Sequence, residues 1–371
     1  MCGSDSDDGL AGQRRKRTQA DGQPPTAGGL RVSARRGGSV SARKNLELTL
    51  AINDYDQVRD LVSGLVPVEG VDLTCLRYPV EEIFFRFVRM REWHISELSL
   101  AKYCSLRAAG DESVIAIPVF PSRAFRHSAI FVRPDGPVDD PAALAGGRIG
   151  VPEWTQTATV YVRGLLAEQY GLELGEIEWV QGGTNQPGRI EGVPVSLPDG
   201  YRLRHVADRS LNDMLVAGDL DAVIAAHPPT DFANRSGRIV RLFTDYRAVE
   251  EAYYRETGIF PIMHAVVIRA DVQEAHPWVA MNLMTAFEEA KRRSLERALD
   301  PNTPRFPVPW SVANAEAAEG LFGRDFWPYG IEKNRRTLSE FLKFAHAQGV
   351  CAARLEPEEL FAPEVQHIYR V

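Results

Sequence analysis

The sequence predicts an α/β protein whose mostly parallel sheets are covered by helices and shared between two lobes. Three observations carry that prediction. From residue 46 onward, short alternating apolar runs and amphipathic helical runs follow one another, the order that builds parallel sheets. The same order restarts after Arg133-Pro134-Asp135-Gly136-Pro137. A chain of 371 residues also exceeds one domain of ~100–200 residues and can bury two cores.

Leu46–Ile52 alternates as a strand and ends at Asn53, Asp54 and Tyr55, polar residues suited to a strand end and a helix cap. A short helix to about residue 65 follows, then a strand at 71–75. Residues 80–91 are helical, with Ile83, Phe84, Phe87 and Val88 on one face, and 95–100 form the third strand. The apolar run 114–119 and the run 128–132 read as strands flanking Phe120-Pro121-Ser122-Arg123-Ala124-Phe125-Arg126-His127, which places a basic turn at a strand end. Past the break, a short helix and tight turn lead to a strand ending at Gly150-Val151-Pro152-Glu153. Thr155, Gln156 and Thr157 then cap a helix to about Tyr170, whose free N–H groups and dipole suit an anion. Residues 177–180 are a strand, and 182–188 a glycine-rich loop without the lysine of a nucleotide-binding P-loop. A helix at Leu211–Ala217, a strand at 219–226 ending at His227, and a strand at 239–243 follow. The chain recrosses through 246–258 to a strand at 261–268. Helices at 278–299, 312–321 and 333–348 close it, the last expected to pack on the first lobe.

Composition sets limits on partners. Hydrophobic content of 44% and charged content of 25% are those of an ordinary globular chain. Residues 1–44 carry nine Lys/Arg against four Asp/Glu and hardly any large apolar side chains, so a disordered basic extension is expected there. The net charge is −7 overall, which leaves −12 for the rest and argues against nucleic acid as partner. An anionic ligand then needs a local arginine cluster. The cysteines, Cys2, Cys75, Cys104 and Cys351, show no zinc or redox spacing and are expected as reduced thiols. No run reaches the ~20 apolar residues of a membrane span. No apolar segment follows Arg14-Arg15-Lys16-Arg17 or precedes Cys2, so neither export nor a lipid anchor is expected.

Several stretches carry a family resemblance: "LAIND" at 50–54, "PVFPSRAFRHSAIFVR" at 118–133, "GVPEWTQTATVYVRGLL" at 150–166, "TGIFPIMHAVVIR" at 257–269 and "FWPYGIEKNRRTLSEFLKFAHAQG" at 326–349. Together they resemble the 4,5-dihydroxyphthalate decarboxylase family. The entry to the second lobe and "GDLDAVIA" at 218–225 also resemble type II periplasmic-binding-protein folds. The resemblance implies a two-lobed fold of that type with the site between the lobes. It also implies a cytoplasmic carboxy-lyase that takes 4,5-dihydroxyphthalate to protocatechuate. The expected organisation is the extension at 1–44, the first part of lobe 1 at 45–133, lobe 2 at 134–245, and the return crossing with completion of lobe 1 at 246–371. The competing function is a solute-binding protein delivering an anionic aromatic ligand to an ABC-type transporter. The partner expected is a small aromatic dicarboxylate; homo-oligomerisation stays open.

On this fold the residues at strand ends meet the ligand. Arg123 and Arg126 are expected to clamp the carboxylates, because guanidinium offers bidentate geometry. Ser122, Asn53, Thr157 and His227 join them as binding residues. The chemistry sets the other roles. Direct loss of CO2 from the ring leaves an sp² carbanion that the π system cannot spread. Protonating the ring carbon first avoids it, with electron density supplied by the para hydroxyl. An acid and a base are then needed. His127 or His264 is expected as the acid, and Glu153 or Asp54 as the base. Arg163 is expected to pair with Glu168. His94, His205, His276, His346 and His367 have surface or structural settings. The ring is its own electron reservoir, so no organic cofactor is expected. A divalent metal is a minor alternative, without H-x-H or H-E-x-x-H spacing to support it.

Overall fold

The computed structural model describes residues 44–366. The extension expected at 1–44, apart from Lys44, together with Cys2 and His367, lies outside the described residues.

The elements in chain order are β1 (Leu46–Ile52), α1 (Arg59–Val62), β2 (Val71–Arg77), α2 (Val80–Met90), β3 (Ile95–Ser99), α3 (Leu100–Ala108), β4 (Val114–Arg123), β5 (Ile130–Val132), β6 (Arg148–Val151), α4 (Thr157–Tyr170), β7 (Glu178–Gln181) and β8 (Arg202–His205). They continue with α5 (Leu211–Ala217), β9 (Ala222–Ile224), α6 (Thr230–Ala233), β10 (Val240–Arg241), α7 (Tyr246–Thr257), β11 (Ile262–Arg269), α8 (Ala270–Ala275), α9 (Trp278–Ala298), α10 (Ser311–Phe322) and α11 (Arg335–Ala347).

Two sheets result. The first has the order β2-β1-β3-β11-β4 and the second β10-β5-β9-β6-β7-β8. β1 pairs parallel with β2 and β3, and β6 pairs parallel with β7 and β9, as expected where helices connect the strands. The return strand β11 enters the first sheet between β3 and β4, antiparallel to both. β3 is buried along its whole length, Glu97 included, because it lies in the middle of a covered sheet.

The structure corrects or sharpens four sequence expectations. Residues 130–132 were expected in the first lobe, but they pair with β9 and β10 in the second sheet, so the chain crosses between sheets at 124–129. The basic turn is not wholly a turn: β4 runs on through Arg123. The recrossing segment is the helix α7. α11 packs against α4 as well as the first lobe's α3. Gly164 of α4 makes that approach possible, since a Cβ there would run into the Phe344 ring. Among the described residues no helix is long and apolar enough to cross a membrane.

Candidate active site

The carboxyl ends of β1 and β3 and the amino end of β11 meet at one edge of the first sheet. His264 of β11 lies opposite Ser99 of β3 and Ser122 of β4, and the β11–β4 register shifts on both sides of it. Such irregularities re-aim a side chain out of the regular pleat. The His264 Nδ1 is 2.6 Å from Glu97 Oε1. The Tyr55 hydroxyl donates to the same oxygen at 2.6 Å, and the Asn53 backbone N–H donates to Glu97 Oε2 at 3.0 Å. Burial, with Glu97 beside it, holds the Tyr55 hydroxyl protonated well above the ordinary phenol range. The His264 side chain keeps 15% exposure while that of Glu97 has none, so only the imidazole is open to a ligand. The Phe84 ring of α2 meets the imidazole edge-on at 4.9 Å between centroids.

Across from this cluster stand the strand ends of the second sheet. A cleft of about 360 Å³, within the roughly 300–1,000 Å³ of small-molecule pockets, is lined by Glu81, Phe84, Phe85 and Val88 on α2 and by Arg189 and Ile190 on the β7–β8 connection. His227 follows β9 and binds Glu81 at 2.8 Å. That hydrogen bond raises the imidazole above its ordinary range and lowers the Glu81 carboxyl to about 2. Arg126 puts its Nε 3.1 Å from the Met263 sulfur and has no carboxylate in ion-pair range among the described residues. Burial pushes it down to about 10, partly offset by Glu250, and its charge acts on His227. An unpaired, largely desolvated guanidinium close enough to act on His227 is a site prepared for an anion.

Other sequence-predicted residues are engaged differently. Arg123 follows Ser122 on an extended strand, so the two point to opposite faces. It is turned away from His264, donating to Phe260 O at 3.0 Å, to Pro328 O at 2.7 Å and to Asn334 Oδ1. It therefore fastens the return strand to the C-terminal segment, where a carboxylate clamp was expected. His127 is 1% exposed, edge-on to Phe243 and Tyr253, with Nε2 3.4 Å from Gln169 Oε1. Gln169 is twelve residues along α4 from Thr157, ~18 Å at 1.5 Å per residue. His127 thus sits at the end of α4 away from the cleft, because one more residue of chain after Arg126 turns it inward. Burial lowers its basicity.

Glu153 has no free oxygen to act as a base. Lys102 occupies one, and Arg189 holds the other at 2.6 Å. Asp54 is 66% exposed and 3.6 Å from Arg77, outside the cluster. Asn53 contributes its backbone to Glu97 and its side-chain oxygen to the Asp54 amide at 2.6 Å. Thr157 joins the lobes, its Oγ1 2.9 Å from Ser99 Oγ and accepting from Ala101 N at 3.1 Å. Arg163 is fully buried, bonded to Gln348 Oε1 at 2.7 Å and Trp154 O at 2.7 Å, and Glu168 pairs with Lys343 instead. Among the described residues, no three His, Cys, Asp or Glu gather as a metal site.

Glu97, Tyr55, Glu81, Lys102 and Arg189 are the residues that sequence reasoning missed. Glu97 had a usable signal, a carboxylate in the middle of the strand "ISELS". Glu81 and Arg189 had none, since each looks like a solvated charge.

Two α/β lobes with polar strand ends facing a shared cleft define the class of periplasmic-binding-protein-like folds. Solved structures agree on the fold. The periplasmic aliphatic sulphonate binding protein SsuA from Escherichia coli superposes with a TM-score of 0.50 at 13% identity, covering 87% of this chain and 99% of that one. A periplasmic sulfonate-binding protein from Methylobacillus flagellatus gives 0.51 at 12% identity, covering 87% and 93%. No protein-family model matches the chain. Curated relatives are closer. The 4,5-dihydroxyphthalate decarboxylase of Comamonas testosteroni is 39% identical over 327 residues, 88% of this chain and 99% of the relative. That of Pseudomonas putida is 40% identical over 211 residues, 57% of this chain and 82% of the relative. The chain belongs to the 4,5-dihydroxyphthalate decarboxylase family.

Proposed function

We propose that this chain is a cytoplasmic carboxy-lyase that converts 4,5-dihydroxyphthalate to protocatechuate and CO2. The observation that carries the mechanism is the His264–Glu97 pair: Nδ1 is committed to a fully buried carboxylate, and the partly exposed ring packs against Phe84, which lines the cleft. In the substrate each carboxylate-bearing carbon lies para to a hydroxyl. Arg126 anchors one carboxylate, and the ring lies along the apolar side of α2. His227, its basicity raised by Glu81, takes the phenolic proton. The oxygen's electron pair flows into the ring, and the para carbon takes a proton from His264 Nε2. The carbon–carboxylate bond then breaks, and its electrons restore the aromatic ring and the phenolate. His227 returns its proton to that oxygen, and solvent reprotonates His264. One proton is consumed for each CO2 released. Ser122, beside Tyr55, and Thr157, between the lobes, frame the site.

The test is incubation of the purified protein with 4,5-dihydroxyphthalate in D2O. Protocatechuate and CO2 should appear in equal amounts, with one deuterium at the vacated ring carbon. Absence of CO2 release would remove the assignment.

A further inference from the structure

Glu97 is a carboxylate in the middle of a fully buried strand, and every contact it makes is to a donor. Three donors converge from separate elements: the Asn53 amide and the Tyr55 hydroxyl from the end of β1, and the imidazole from β11. Tyr55 and His264 share one oxygen, and the Tyr55 oxygen lies 3.4 Å from His264 Nδ1. Burying a carboxylate is costly and is compensated only by such donors. A carboxylate serving only to hold the β1 loop would not need the imidazole. The side chain has no exposure and cannot touch a substrate.

We infer that Glu97 is a positioning residue that fixes His264 in the Nδ1–H form, so that Nε2 is the nitrogen that carries and delivers the transferable proton. The inference rests on the decarboxylase reading for its kinetic consequence. In the charged imidazole, Nδ1–H donates to Glu97 and Nε2–H is the proton left for a ligand. Transfer of the Nε2 proton to the ring carbon breaks the N–H bond and forms a C–H bond. A neutral imidazole remains, with its proton still on Nδ1, so solvent can refill only the vacated Nε2. Tyr55 is the second positioning residue. Its hydroxyl keeps a donor on Glu97 Oε1 in both protonation states of His264 and opposes movement of the Nδ1 proton onto the carboxylate.

Two measurements on the full chain test this. With 4,5-dihydroxyphthalate, Glu97→Gln should lower kcat at least a hundredfold while KM stays within threefold, and Tyr55→Phe should lower kcat about tenfold. A folded Glu97→Gln protein with kcat within threefold of wild type, or with the loss confined to KM, would overturn the inference. The second measurement uses the unaltered protein, with ¹⁵N-labelled imidazoles assigned by comparison with His264→Asn. In its neutral form, His264 should carry its proton on Nδ1; a proton on Nε2 would overturn the inference. If the wild-type protein releases no CO2, the decarboxylase reading fails, and the spectrum still decides the role of Glu97.

Discussion

His227, at the end of a strand in the second sheet, donates to Glu81 on α2 of the other lobe at 2.8 Å. This pair joins the lobes at the mouth of the cleft and titrates. The hydrogen bond to Glu81 raises His227, so its contribution is complete below the ordinary value of 6.5 and is lost as pH rises through the higher folded value. Glu81 is lowered to about 2, so its contribution is complete above the ordinary 4.5 and is lost only as pH falls through about 2. The pair's contribution is therefore complete from about pH 4.5 to about 6.5 and declines at higher pH. Both side chains are well exposed, which limits the effect to about 1 kcal/mol. The wild-type melting temperature should fall more between pH 6 and 8 than that of His227→Ala. Parallel curves would show that the contact contributes nothing.

The two arginines of the basic turn should separate by phenotype. Arg126→Lys keeps the charge and loses the fork, so kcat/KM should drop at least tenfold, about 1.4 kcal/mol. Arg123→Ala removes the donor from Phe260 O and from buried Asn334 Oδ1, at roughly 1–3 kcal/mol each before relaxation, while Pro328 O keeps Asn334 Nδ2. Its melting temperature should fall sharply while the KM of the folded protein holds. A raised KM with unchanged stability in Arg123→Ala would return Arg123 to the cleft.

The histidines should separate in the same way. His264→Asn should lower kcat by about 10²–10⁴, the usual contribution of a positioned acid. His127→Asn should keep kcat within threefold, because its ring lies among Phe243, Tyr253 and Gln169. The reverse order would make His127 the acid.

The close approach of α4 and α11 gives a packing prediction. Gly164→Ala drives a methyl into the Phe344 ring and should cost about 1–3 kcal/mol. Gly164→Ala combined with Phe344→Leu should recover part of it. Full stability of the single variant would contradict the packing.

The sequence was informative where local pattern and tertiary context agree. The alternation of Leu46–Ile52, the amphipathic face of α2 and the strand leading to Glu153 were all legible, because a period of two or 3.6 is a local property. Which strand-end residue faces the cleft was not legible. Ser122 and Arg123 are neighbours, and one step of pleat puts the first beside Tyr55 and the second behind the sheet. His127 and Arg126 divide in the same way. Glu153 was visible as a carboxylate at a helix entry, but Lys102 and Arg189 reach it from 51 and 36 residues away. Glu97 depends wholly on partners that only folding supplies.

The most direct test of the central claim compares two substrates that differ only in their hydroxyls. The mechanism needs an oxygen para to the departing carboxylate, because that oxygen supplies the electrons for protonation of the ring. The rate of CO2 release should be ready with 4,5-dihydroxyphthalate and absent with unsubstituted phthalate, which should still bind through Arg126 and inhibit competitively. Release of CO2 from phthalate at a comparable rate would contradict the account.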